Sequence, residues 1–120
     1  YPGVAGFAEE RGVGAGEGFN LNLPMAHGAS EADFLGQLDV ALAAVREFGA
    51  EVLVLSLGFD IYELDPQSKV AVTREGFATL GERIRGLGLP CLIVQEGGYH
   101  LESLEDNARA FFVNGEVWQV

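Results

Sequence analysis

Cysteine is nearly absent. Cys91 is the one thiol in 120 residues, which excludes an internal disulfide framework and any zinc site built from several cysteines. Its place inside an apolar run suits a small hydrophobe. Basic residues are scarce too. Seven Lys and Arg face eighteen Asp and Glu, a formal charge of −11, and a chain without Lys/Arg clusters lacks the footprint for sequence-independent nucleic-acid binding. No apolar stretch approaches the ~20 residues of a membrane helix, and no signal peptide is visible, so a cytoplasmic location is expected. There is no G-x-S-x-G elbow and no P-loop, which disfavours other α/β hydrolases and nucleotide-binding domains. An initiator methionine is missing as well: the chain opens on YPGVAGFAEERGVGAGEG, a glycine-rich loop with no element before it. That opening predicts a piece of a longer protein.

What is present reads as one globular unit. Apolar residues make up 48% and charged residues 21%, too apolar for a disordered chain, and no repeat or polar linker divides residues 1–120. Two apolar runs, EVLVLSLGFD (51–60) and PCLIVQEGGY (90–99), are too short for helices and match strands buried on both faces of a parallel sheet. FNLNLP (19–24) alternates with period 2 and predicts a short half-exposed strand ended by Pro24. Ser30 with Asp33 opens a helix whose stripe of Phe34, Leu35, Leu38, Leu42, Val45 and Phe48 runs to Gly49. Thr73 caps a second helix carrying Phe77, Leu80, Ile84 and Leu87, closed by Gly86 and Gly88. A third, with Leu101, Leu104, Ala108, Phe111 and Phe112, ends near Asn114-Gly115. Strands alternating with helices through short connections imply right-handed crossovers and a mainly parallel α/β sheet.

In such sheets the ligand crevice lies beyond the carboxyl ends of the strands, and both apolar runs deliver a polar residue there. Asp60 suits a metal ligand, a general base or the cap of the next turn. Tyr99, after Gly97-Gly98, suits either a hydrogen-bond donor to a developing oxyanion or an aromatic packed over the sheet. Asp65 before Pro66 fits a turn. His27 is expected in solvent, and His100 points away from Tyr99 because neighbouring side chains diverge. The glycines at 12, 14, 16 and 18 mimic a dinucleotide fingerprint, but loop precedes them and no helix opens on them. Two isolated histidines do not make a metal site.

SLGFD (56–60), Asp65-Pro66, TREGF (73–77) and QEGGY (95–99), together with the opening YPGVAGFAEERGVGAGEGFNLNLP, resemble the carboxyl-terminal third of the zinc-dependent histone deacetylase superfamily. Within it they are most similar to the acetylpolyamine amidohydrolases. The similarity covers roughly residues 1–115 in the same order. It implies a three-layer α-β-α fold of the arginase/deacetylase kind, of which residues 1–120 form the carboxyl-terminal part. It also implies zinc-dependent hydrolysis of acetylated amines, either acetylpolyamines or acetyl-lysine. By the same resemblance Asp60 matches the second aspartate of an Asp-His-Asp zinc site, and Tyr99 matches the tyrosine that hydrogen-bonds the substrate carbonyl. Tyr1 matches an aromatic wall of the substrate tunnel, Gln67 falls near its rim, and Gly97 and Gly98 line the site beneath Tyr99. Phe19 lies near a position whose main-chain carbonyl binds a structural K+ in relatives. The SLGFD form, and the lack of a glycine-rich DPLGG stretch after Asp65, lean toward the polyamine subgroup, whose enzymes form homodimers.

The family's first aspartate and histidine ligands, its paired general-base histidines and an upstream tunnel aromatic have no counterpart here. The chain alone is therefore expected to be inactive. The alternative expectation is a non-catalytic truncated module acting in binding or assembly.

Overall fold

The computed structural model describes residues 4–113 and Trp118. In chain order the elements are β1 (Ala29–Ser30), α1 (Glu31–Phe48), β2 (Leu53–Leu57), β3 (Val70–Ala71), α2 (Arg74–Arg85), β4 (Cys91–Gln95) and α3 (Leu101–Phe112), with a single 3-10 turn at Gly14–Gly16. Both ladders are parallel. β2 pairs with β4 from Leu53↔Cys91 to Leu57↔Gln95, and β1 pairs with β3 through Ala29↔Val70. A lone bridge, Tyr62↔Val72, follows β3. The parallel α/β expectation holds.

The helix boundaries follow from their caps. The Ser30 hydroxyl accepts from the Asp33 amide at 3.2 Å while the Asp33 carboxylate accepts from the Ser30 amide at 2.9 Å, a reciprocal box that satisfies two otherwise orphaned donors. Gly49 ends α1 in the left-handed region at φ 73°, a conformation glycine adopts without penalty. Thr73 caps α2 through the Gly76 amide. Its own amide and hydroxyl both donate to Glu31 Oε2, at 2.7 and 2.6 Å, so one carboxylate in the first turn of α1 braces the start of α2.

Leu42, Leu57, Phe59, Tyr62, Val72, Phe77, Leu80, Ile84 and Phe111 form one core. Leu53, Leu55 and Ile93 join it from one face of the β2–β4 pair. The opposite face carries Val54, Leu92 and Val94, all exposed, so the expectation of strands buried on both faces is corrected for the described residues. Helices thus cover one side of this pair among the described residues, giving two of the three expected layers.

The strand expected at FNLNLP is also corrected. Residues 19–24 form no strand: alternation makes a strand only when a neighbour can complete the ladder. Asn20 and Asn22 instead tie this segment to the 7–10 loop, donating to the Glu10 and Phe7 carbonyls at 2.6 and 2.9 Å. The apolar stripe of α1 enters the core only in part. Phe48 is exposed and meets the Phe19 ring edge-on, with centroids 5.7 Å apart. Asn114 and Gly115 lie outside the described residues. Trp118, which the sequence leaves unread, stacks on Phe111 at 5.3 Å with the Arg85 guanidinium 5.2 Å from its ring centre.

Candidate active site at the carboxyl ends of β2 and β4

The ladder between β2 and β4 continues past both strand ends. The Glu96 amide donates to the Leu57 carbonyl at 2.9 Å, and the Phe59 amide donates to the Gly97 carbonyl at 2.8 Å. The segments Gly58–Asp60 and Glu96–Tyr99 therefore run side by side over the sheet edge. Phe59 turns into the core against Phe77 and Phe111, which sends its neighbour Asp60 to the edge. The Asp60 carboxylate lies directly against two glycines. A Cβ at Gly97 would stand 2.6 Å from Asp60 Cγ, and one at Gly58 would stand 2.5 Å from Asp60 Oδ1. A side chain at either position would have to displace the Asp60 carboxylate, which occupies that space.

Gly98 has φ 139°, a conformation that L side chains rarely adopt. A Cβ there would also come within 3.0 Å of Phe59 Cβ and 3.1 Å of Leu104 Cδ1. The glycine pair is thus pressed onto Asp60 and the core, while Tyr99, the next residue, is 56% exposed.

Asp65 does more than form a turn. Its Oδ1 accepts from the Gln67 amide at 2.8 Å, as in an Asx turn. Its Oδ2 accepts from the amides of both Tyr99 and His100, at 2.6 and 3.0 Å. The residue is only 6% exposed. Burial pushes its carboxyl up, but the amides of Tyr99, Gln67 and His100 and the charge of His100 outweigh burial and hold it below the ordinary carboxylate range. The His100 ring, 5.8 Å from that of Tyr62, shares Nδ1 with the Ser103 hydroxyl at 2.9 Å. Ser103 in turn accepts from Asn107 at 3.3 Å. His27 is exposed, as the sequence implies.

The structure brings Asp60, Gly97, Gly98, Tyr99 and, through Asp65, Gln67 to one edge. Gln67 is exposed. Phe19 is not among them: it lies beside Phe48 and Leu53, at the amino end of β2. Tyr1 lies outside the described residues. No group of three His, Cys, Asp or Glu side chains able to hold a metal occurs among the described residues. Asp60, half-buried and placed at a strand's carboxyl end, fits a zinc ion as one ligand of the three that a catalytic site takes from protein.

The histone deacetylase domain profile matches residues 1–114. The chain belongs to the histone deacetylase family. It is 62% identical to an acetylpolyamine amidohydrolase of Burkholderia pseudomallei over 93% of its own length. It is 44% identical, over 90% of its length, to acetylpolyamine amidohydrolase 1 of Pseudomonas aeruginosa. The crystal structure of the acetylpolyamine aminohydrolase from B. pseudomallei superposes with a TM-score of 0.91 over 93% of this chain, so the architecture is that of a deacetylase. The chain spans about a third of the length of these relatives, 33% of the Burkholderia protein and 31% of the Pseudomonas one.

Proposed function

We propose that residues 1–120 are the carboxyl-terminal part of the catalytic domain of a zinc-dependent amidohydrolase that deacetylates acetylated amines, with acetylpolyamines favoured over acetyl-lysine. The observation that carries this reading is the Asp60 carboxylate packed on the backbone of Gly97, two residues before an exposed Tyr99. A carboxylate and a phenol are thereby delivered by adjoining strand ends to one edge. The acetylpolyamine amidohydrolases among its relatives support the substrate class, and membership of the family supports zinc.

In this reading Asp60 is one metal ligand, and the remaining ligands and the general base come from elsewhere in the parent protein. Zinc, when bound, polarises the amide carbonyl and lowers the pKa of a bound water. Tyr99 donates a hydrogen bond to the carbonyl oxygen as it becomes an oxyanion. Gly97 and Gly98 keep the floor beneath Tyr99 free of side chains, and Gln67 and Tyr1 border the substrate's approach. The Phe19 carbonyl is assigned to a structural K+ remote from the chemistry. The parent is taken to be a cytoplasmic homodimer.

Acetate release by the parent protein from acetylpolyamines and from acetyl-lysine peptides tests this. The parent is expected to release acetate, faster from acetylpolyamines, and the isolated 120-residue chain none. Asp60→Ala should abolish both activity and bound zinc, read by elemental analysis. Tyr99→Phe should keep zinc and substrate affinity but lose kcat by ~10²–10³-fold. A parent that releases acetate from neither class would overturn the reading.

A further inference from the structure

We propose that Asp65 is the positioning residue for Tyr99: one buried carboxylate fixes the turn that aims the phenol and locks that turn to the loop bearing Gln67. The proposal rests on the amidohydrolase reading above. It begins from an imbalance in how Tyr99 is held. The side chain is more than half exposed in this chain, so the described residues pack little against it, and the direction they give it comes from the main chain. That main chain follows two glycines, the residues with the most backbone freedom to lose on ordering. Something outside the turn must supply the constraint.

Asp65 supplies it. Two consecutive amides, Tyr99 and His100, converge on Oδ2, the arrangement by which successive N–H groups bind an anion. Hydrogen bonds to a charged acceptor are about twice as strong as neutral ones. The anchor is itself tied down: the Asp65 amide donates to the Tyr62 carbonyl at 2.9 Å, its carbonyl accepts from the Ser68 amide at 3.0 Å, and Tyr62 belongs to the core. The other oxygen holds the Gln67 amide. The 65–68 loop and the 97–100 turn, distant in sequence, therefore share a single carboxylate.

Asp65→Asn in the parent protein is the test. The amide NH2 cannot accept, so in either orientation at least one of the three backbone donors loses its partner. Expected is a kcat lower by about ten- to a hundredfold, the scale of a misplaced catalytic group, with zinc content kept. In a Tyr99→Phe background the same change should cost little more, because a residue acting through the phenol has nothing left to aim. Hydrogen exchange of the Tyr99 and His100 amides should accelerate, while the amides of β2 and β4 keep their protection. Losses that multiply in the double variant, or unchanged exchange at Tyr99 and His100, would overturn the proposal. Asp65→Glu, which keeps two acceptor oxygens but displaces them, serves where Asn does not fold, and the same subadditivity with Tyr99→Phe is expected. If Tyr99→Phe alone is fully active, the oxyanion role fails, and the exchange result still decides the clamp.

Discussion

The Asp65 carboxylate is buried yet held below the ordinary carboxylate range by the amides that surround it, and the sign of its contribution to stability follows. A lowered folded-state value means that the stabilisation is present in full above the unfolded value of about 3.9 and is lost as pH falls through the folded one. Urea unfolding at a series of pH values should therefore show a wide stability gap between wild type and Asp65→Asn at pH 7, closing below about pH 4. A gap that persists into acid would mean that the charge is not what the amides bind. The placement of Asp60, Tyr99 and the glycines at the sheet edge was legible in the sequence because each follows a plain apolar strand run. Asp65 was legible only as half of an Asp-Pro turn. Its larger task depends on amides 34 and 35 positions away, and no local pattern reports such partners.

Helix ends show the same division between local and remote causes. Ser30 with Asp33, Gly49 and Thr73 are local signals, and each boundary falls where they put it. The bond from Thr73 to Glu31 is not a local signal, since it spans 42 positions. Thr73→Val removes both the cap to Gly76 and the hydroxyl donor to Glu31, leaving a half-buried carboxylate with one partner fewer. It should destabilise the fold by about 1–2 kcal/mol, read as a lower midpoint in urea at unchanged slope. An unchanged midpoint would show that the brace contributes nothing. Among the strands, β2 and β4 announce themselves as apolar runs. The two-residue β1 and β3 are too short to carry a period, and 19–24 carries one without a neighbour to pair with.

For the molecule as a whole, the unevenness of burial matters most. The β2–β4 pair presents Val54, Leu92 and Val94 outward beside a covered inner face, and contiguous apolar surface of this kind drives association. The isolated chain should self-associate as its concentration rises, read by sedimentation velocity. Val54→Thr with Leu92→Thr should reduce that association, and a wild-type chain that stays monomeric throughout would count against it. The fold class was readable because strand and helix patterns alternate; the bare face was not, since both faces of a buried strand look alike in sequence.

The parallel ladders also set an order of events during synthesis. Leu53 waits for Cys91, and Ala29 waits for Val70, so neither pair can close until an intervening helix or loop has been made. Entropy must be spent on long loops before contacts repay it. A ribosome would therefore release most of this segment with its helices nascent and its strands unpaired. Only the arrival of 91–100 closes the β2–β4 ladder and brings Tyr99 to the waiting carboxylate of Asp65, so the edge that carries the proposed site is among the last parts of the segment to take shape.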